Sequence, residues 1–298
     1  MYSLKSLEYI CLLFGKSRQA WYDSLHRKEE RQMEEVLVLS MVKEVRKKHK
    51  RLGTKKLQQM LLDDFMRHHI KIGRDKLHEL LSEHGMLVRQ GQFKPRTTNS
   101  NHPYRRYTNL VRDLQLTAAC QLWASDITYI ATEKGFVYLS LITDCYSHKI
   151  VGWCLWPNLE SKGVLNALEM AFQSNPHHPG LIHHSDRGIQ YCCHDYTQAL
   201  EREKIKISMT ENGDPYENAI AERVNGILKI EYDLNATFKD YYQANEQVKT
   251  AIDLYNNSRP HLSCDMLTPS QAHNQTGELK KHWKSRNLKT SMVEIAGV

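Results

Sequence analysis

Three carboxylates in the second half of the chain lie in or next to segments that are predicted to form strands or a helix of the core. Asp126 interrupts the otherwise apolar run "LWASDITYI", where burial of its charge is costly unless a partner or ligand compensates it. Asp186 directly follows the apolar run "LIHHS", where the carboxyl end of a strand opens into a crevice. Glu222 lies within "MTENGDPYENAIAERVNGILKIE", whose spacing of apolar residues predicts a helix.

One face of this predicted helix is polar. Helical spacing aligns four residues in a stripe beside the apolar positions, namely Asn218, Glu222, Asn225 and Lys229. Glu217 lies off the stripe, and Asp214 in "NGDP" is typical of a turn. Taken alone, the helix is better described as an ordinary amphipathic helix with a solvated Glu222.

The three carboxylates together would suit divalent cations. Carboxylates that converge repel one another, and a bound cation removes that repulsion. A set of hard oxygen ligands favours Mg²⁺, with Mn²⁺ as a substitute. Two such ions can activate an attacking oxygen and stabilise a leaving oxygen at a phosphate. Asp126, Asp186 and Glu222 are therefore predicted to bind two metal ions and to catalyse phosphoryl transfer.

The elements around these acids predict an α/β domain. Three aromatic and β-branched runs follow one another closely from Leu122, which favours an antiparallel meander. A helix over 161–173, the strand "LIHHS", a helix near 195–203, the short strand "IKISM", the Glu222 helix and a last helix over 240–256 come next. This order predicts a mixed five-stranded sheet with flanking helices.

The front of the chain predicts an all-α region. Short helices over 4–14 and 17–29 are separated by "FGKSRQAWY", with Gly15 in the turn and Ser17 as N-cap. This pattern fits a helix-turn-helix, although a helical hairpin would look the same. Further helices are expected on both sides of Gly53, with Thr54 as a cap, and Gly85 as the end of the last one.

The charge of the chain is concentrated in this front region. Residues 1–120 carry 24 lysines and arginines against 13 acids, whereas residues 121–298 carry 17 against 21. A dense basic stretch between Lys43 and Lys56 favours contact with phosphates over a merely solvated surface. Within it, the predicted DNA-binding residues are Lys47, Lys48, Lys50, Arg51, Lys55 and Lys56.

These features divide the chain into four parts. We predict a helical DNA-binding region over 1–90, a polar and basic linker over 91–118, a catalytic core over 119–275 and a tail over 276–298. The apolar run "LEYICLLF" is too short and too polar to span a bilayer. A cytoplasmic protein without membrane association is expected.

Seven cysteines without a C-x-x-C pair favour reduced thiols over a disulfide framework. A zinc site is a weaker alternative, because its spacing matches no common zinc pattern. Its candidate ligands are His183, His184, Cys192, Cys193 and His194.

Six stretches, in order, carry a resemblance to a known family. They are "LWASDITYI", "TDCYSHKIVGW", "HHSDRGIQY", "NGDPYENAIAERVNGILKIE", "YNNSRPH" and "LTPSQA". Together with the basic helical front they resemble the second-frame product of transposases of the IS-three family of insertion sequences. Asp126, Asp186 and Glu222, with 35 residues between the last two, resemble the DDE triad of retroviral integrases and bacterial transposases.

The resemblance implies an RNase H-like fold and metal-dependent cleavage and joining of the element's DNA ends. It implies that Lys229, seven residues after Glu222, binds DNA, and Arg187 is a further candidate. Asp144 would be structural, and His184 is compatible both with approach to the metal and with a buried, satisfied histidine. The expected partners are DNA, further copies of the chain, and the first-frame product, whose leucine zipper this sequence lacks.

Two other functions fit parts of the sequence. A structure-specific nuclease could use the same fold and acids, but it would not need the basic front region. A non-catalytic DNA-binding repressor would need the basic region, but it would not need three acids.

Overall fold

The computed structural model describes residues 7–88, 103–112, 114–175, 179–211 and 218–282, in two compact units that divide after Gln90. The predicted turn residue Asp214, the off-stripe Glu217, the linker from 91 to 102 and the tail from 283 lie outside the described residues.

The first unit is entirely helical. Its elements are α1 (Leu7–Leu13), α2 (Arg18–Lys48), α3 (Thr54–Met60), α4 (Leu62–Arg67) and α5 (Arg74–Glu83). The predicted turn joins α1 to α2: Gly15 has a φ of 64°, and the Ser17 hydroxyl accepts a hydrogen bond from the Ala20 amide over 3.1 Å. Gly85 follows α5 with a φ of 63°, as its position in the sequence predicted.

Two boundaries in this unit differ from those predicted. The helix expected over 17–29 continues as α2 to Lys48, because no glycine or proline interrupts it and Val38 and Val42 are buried along it. Thr54 is the first helical residue rather than the cap, and Gly53 is the N-cap. The second half of α2 packs on α3, α4 and α5 in one apolar core, which includes Val38, Val42, Leu57, Phe65, Leu77 and Leu81.

The second unit is built on a mixed sheet. Its strands are β1 (Leu122–Thr132), β2 (Gly135–Asp144), β3 (Ile150–Trp156), β4 (Ile182–Ser185), β5 (Lys206–Met209) and the two-residue β6 (Thr237–Phe238). The order is β3-β2-β1-β4-β5, with β1 to β3 antiparallel and β4 and β5 parallel to β1. This topology is RNase H-like and confirms the predicted five-stranded sheet, to which β6 adds a short pairing with β1.

Helices cover both faces of this sheet. They are α6 (Ser161–Ser174), α7 (Ile189–Cys192), α8 (His194–Arg202), α9 (Ala219–Glu231), α10 (Tyr241–Asn257) and α11 (Pro269–Ala272). One core cluster joins the sheet to α6 and α8, and a second joins it to α9 and α10. The contact of α6 with β3 is especially close, since a Cβ at Gly152 would lie 2.2 Å from the Ala167 carbonyl oxygen.

Alternation along β1 decides which helices each side chain meets. Trp123 belongs to the cluster of α6 and α8, whereas Ile130 belongs to the cluster of α9 and α10. Because side chains alternate along a strand, the side chains of Ser125 and Trp123 lie on one face of the sheet, and those of Asp126 and Ile130 lie on the other. Asp126 therefore lies on the side of the sheet that α9 covers. None of the described helices contains an apolar stretch long enough to cross a bilayer.

Candidate active site

Strand pairing brings Asp126 and Asp186 to the same level of the sheet. The parallel register of β1 with β4 ends at the pair Ala124 and His184. Asp126 and Asp186 each lie two residues beyond that pair, in the two adjacent segments of the polypeptide. Both aspartates line one open pocket, together with Thr128, Tyr129, Gly188 and Gln190.

The turn after β4 holds Asp186 in place. Its Oδ1 accepts a hydrogen bond from the Gly188 amide over 2.9 Å, and its carbonyl accepts one from the Ser185 hydroxyl over 3.0 Å. The bond from the Gly188 amide limits the rotation of the carboxylate, and the bond from the Ser185 hydroxyl fixes the backbone of the turn.

The polar stripe of α9 lies against β1. Asn218 donates to the Ser125 carbonyl over 3.0 Å. About two helical turns later, Asn225 donates to Asp126 Oδ2 over 2.7 Å. Both asparagines are buried, at 7% and 6% exposure. The stripe that helical spacing predicted is thus the surface by which α9 is fixed to the strand that carries Asp126.

Glu222 lies between these two asparagines on α9 and is exposed to solvent. The pKa of Asp126 is raised to about 7, mainly by burial and then by the negative charges of Asp186 and, to a smaller extent, Glu222, against the hydrogen bond from Asn225, which lowers it. The fold therefore brings the three predicted acids close enough for their charges to interact.

Comparison with known proteins gives matches over most of this chain. Two models of the integrase core domain match residues 117–215 and 203–269. An uncharacterized 31 kDa protein of insertion element IS600 from Shigella sonnei is 33% identical over 265 residues, which cover 88% of this chain and 96% of that protein. The transposase of IS629 from the same species is 34% identical over 212 residues, which cover 71% of this chain and 70% of that transposase. Transposase InsF of IS3fB from Escherichia coli K12 is 34% identical over 167 residues, which cover 56% of this chain and 58% of that transposase.

The chain belongs to the IS3 family of DDE transposases. It is accordingly a polynucleotidyl transferase that acts in DNA transposition. The resemblance noted in the sequence is confirmed.

A buried hydrogen-bond network lies under the pocket of this transposase. His183 Nε2 is 2.6 Å from the Ser125 hydroxyl and 2.9 Å from the Tyr196 hydroxyl. Burial, with a smaller effect from the neighbouring His184, lowers the pKa of His183 to about 3. The imidazole is therefore neutral, and it connects the strand of Asp126 with α8.

The two residues of uncertain role are both internal. The His184 Nδ1 lies 2.9 Å from the Ser208 hydroxyl, and the side chain is buried. Asp144 is fully buried; its Oδ2 accepts from the Cys120 amide over 2.7 Å, and its Oδ1 accepts from the Ser147 amide and hydroxyl. These contacts fit the structural role implied for Asp144.

The alternative zinc ligands are not assembled. His183 and His184 have the hydroxyl partners described above, Cys192 contacts the Met209 sulfur, and Cys193 contacts the Gln190 carbonyl. Among the described residues, no three of these candidate zinc ligands lie close enough together to hold one metal ion. All seven cysteines are free thiols.

The predicted DNA-binding residues are distributed over both units. Lys229 places its ammonium 4.3 Å from the centre of the Tyr129 ring, so it lies beside a residue that lines the pocket, and Arg187 is half-buried next to Asp186. In the first unit Lys47, Lys48, Lys50 and Arg51 are exposed, whereas Lys55 and Lys56 are half-buried.

Part of the basic stretch serves the fold. Arg46 donates to the Met86 carbonyl over 2.6 Å and to that of Leu52 over 3.4 Å, and His49 is buried. Periodicity could have indicated this, because both positions continue the apolar face of α2.

Proposed function

We propose that this transposase cleaves the ends of an insertion sequence and joins them to target DNA, with Asp126, Asp186 and Glu222 as its catalytic residues and as the ligands of two Mg²⁺ ions. Mn²⁺ would substitute for Mg²⁺. The observation that carries the proposal is the placement of the acids: Asp126 and Asp186 line one pocket, and the helix that carries Glu222 is hydrogen-bonded to Asp126 through Asn225.

The residues fit divalent cations. Every candidate ligand atom is a carboxylate oxygen, the donor that Mg²⁺ prefers. Burial, together with the charges of Asp186 and Glu222, raises the pKa of Asp126 to about 7, so Asp126 is partly protonated near neutral pH. A cation would replace that proton and remove the repulsion.

When bound, two Mg²⁺ ions would supply activation of the attacking oxygen and stabilisation of the leaving oxygen. The protein itself contributes position. Asn225 orients Asp126 from α9, and the Gly188 amide orients Asp186 from the turn after β4. No protein nucleophile is required, since a water molecule or a DNA hydroxyl attacks the phosphate.

Basic residues would hold the DNA. Lys229 and Arg187 would bind phosphates beside the pocket, and the exposed cations of the first unit would bind the duplex further away. The terminal repeats of the element and the target would be the DNA partners. We further propose assembly of several copies on DNA, association with the first-frame product, and action in the cytoplasm on the nucleoid.

The decisive experiment is a strand-transfer assay on the element's own ends. Sequencing the DNA that flanks the gene identifies the terminal repeats, and labelled repeat DNA is incubated with target DNA and Mg²⁺. Asp126→Asn, Asp186→Asn and Glu222→Gln should each abolish cleavage and joining while DNA binding persists. The matched controls are Glu217→Gln, from the segment before α9, and Asp195→Asn, an exposed acid on α8.

The outcomes separate the alternatives. Cleaved ends without joined products would indicate the structure-specific nuclease. Tight binding of repeat DNA without cleavage would indicate the repressor. An active Glu222→Gln variant beside an inactive Glu217→Gln variant would remove Glu222 from the proposed site.

A further inference from the structure

We propose a second metal site in the catalytic unit, in which His148, His261 and Cys264 bind one Zn²⁺ ion or a similar transition-metal ion. The site is independent of the three acids described above. It uses nitrogen and sulfur ligands instead of carboxylates, so it would select a different class of metal.

The geometry of the three side chains supports the proposal. One possible ligand atom from each lies within 4.8 Å of the others, and no other group of this kind is found in the described part of the chain. In a tetrahedral zinc site the ligand atoms are about 3.5 Å apart, as follows from Zn–N distances of about 2.0 Å and Zn–S distances of about 2.3 Å. Rotation of the side chains, including one of the two stacked imidazole rings, would close the difference.

The backbone already holds the ligands together. His148 lies in the turn between β2 and β3, and Tyr255 on α10 donates to its carbonyl over 2.9 Å. Asn256 on α10 pairs with both the amide and the carbonyl of Ile150, over 3.0 and 2.9 Å. The loop after α10 carries the other two ligands, and it is closed by the bond from the Cys264 amide to the His261 carbonyl over 3.0 Å.

The imidazole of His148 is prepared to act as a ligand. Its Nδ1 is buried and makes no hydrogen bond. Its ring is stacked on that of His261, with 4.5 Å between the ring centres and 20° between the ring planes, so one ring would turn about its Cβ–Cγ bond for both nitrogens to face one ion. Arg259 and Lys281 bring positive charge close to His148.

The charges around the cluster are compatible with a cation. Arg259 forms two hydrogen bonds with the carboxylate of Glu231, over 2.7 and 2.8 Å, which neutralises its charge. Asp144 contributes a negative charge near Cys264. As the metal–sulfur bond forms, the S–H bond of Cys264 would break and release one proton to solvent.

The fourth ligand would come from solvent. His148 is half-buried, whereas Cys264 is fully buried and His261 is 6% exposed. The ion would therefore connect the turn between β2 and β3 with the loop after α10, and water would complete its tetrahedral coordination.

Cobalt spectroscopy of the full-length chain tests this site. Co²⁺ is added to metal-free protein that carries Asp126→Asn, which weakens binding at the acids. We expect a thiolate-to-cobalt charge-transfer band and the visible bands of tetrahedral Co²⁺, both saturating at one equivalent, and displacement by Zn²⁺. Cys264→Ser should remove the charge-transfer band, and the control Cys154→Ser, on β3, should retain it.

A second variant guards against misfolding of the buried Cys264→Ser protein. His148→Asn changes a half-buried residue whose φ of 60° asparagine also tolerates, and circular dichroism verifies its fold. It should weaken Zn²⁺ binding at least tenfold in competition with a chromophoric chelator, and it should abolish the Zn²⁺-dependent rise in melting temperature. Absence of the charge-transfer band in the parent protein, or unchanged Zn²⁺ affinity in a folded His148→Asn variant, would overturn the proposal.

Discussion

The side-chain amide of Asn225 donates to Asp126 Oδ2 over 2.7 Å and so ties α9 to the central strand at a proposed metal ligand. The contact fixes the orientation of the carboxylate, and the hydrogen bond also lowers the pKa of Asp126 against the effect of burial. Asn225 is therefore a positioning residue for the site.

Replacement of Asn225 should weaken the use of Mg²⁺. Partners that orient a metal ligand typically contribute about 10–100-fold to metal affinity or activity, so Asn225→Ala should raise the Mg²⁺ concentration for half-maximal strand transfer by about that factor. The measurement is strand transfer over a series of Mg²⁺ concentrations. Asn257→Ala, an exposed asparagine on α10, is the control. An unchanged Mg²⁺ dependence would show that the contact does not position Asp126.

Asp144 should affect stability instead of chemistry. Its two oxygens accept three hydrogen bonds in a fully buried position. In the Asp144→Asn variant, the side-chain NH₂ group would face one of the three groups that donate to Asp144, and that hydrogen bond would be lost. The free energy of unfolding should therefore fall by about 1–3 kcal/mol. Urea unfolding measures the loss, with Asp195→Asn as the control. Inactivity of a fully folded Asp144→Asn protein would instead place this acid in the reaction.

Lys229 should act on DNA and leave metal use unchanged. A hydrogen bond to a charged group contributes about 1.5–3 kcal/mol, so Lys229→Ala should slow cleavage of repeat DNA by about tenfold or more. Lys229→Arg keeps the charge and should keep most of the activity. Crosslinking from Lys229→Cys to nucleotides beside the cleavage site gives an independent readout. Cleavage at the parental rate without crosslinks would return Lys229 to a purely structural contact with Tyr129.

The exposed basic residues of the first unit should determine the salt dependence of DNA binding. Each phosphate contact contributes about 0.9 to the slope of log affinity against log salt. Replacing Lys47, Lys48, Lys50 and Arg51 together with glutamine should therefore lower that slope by up to about 4. Filter binding at several salt concentrations measures it. The control replaces Arg67 and Arg74, two exposed cations on α4 and α5 outside the basic stretch. Equal slopes in parent and quadruple variant would locate DNA binding elsewhere.

His183 should make the catalytic unit sensitive to acid. Its pKa is lowered from 6.5 to about 3 in the fold, so below pH 6.5 the unfolded chain gains a proton that the native state does not. The free energy of unfolding should therefore fall as the pH drops through this range, by at most about 1.4 kcal/mol per pH unit. Urea unfolding between pH 7.5 and 5 should show a smaller slope for His183→Gln than for the control His194→Gln. Equal slopes would mean that His183 does not contribute.

Local patterns in the sequence determined much of the fold. The first strand, predicted from Leu122, begins there as β1, because β-branched and aromatic residues favour an extended chain. The meander, the alternation of strands and helices after it, and the polar stripe of α9 follow from the same periodicities. The types of the three acids indicated the kind of chemistry before any of their distances was known.

Tertiary structure alone decided which of these residues meet. Asn225 was visible in the stripe, but its partner Asp126 lies 99 positions away, and only the packing of α9 on β1 joins them. In the same way His148 meets His261 and Cys264 across more than a hundred positions, and Arg46 turns inward to bind carbonyls of its own unit. Periodicity reports which face of an element is buried, whereas the partner across that face is set by strand order and helix packing, which no local pattern contains.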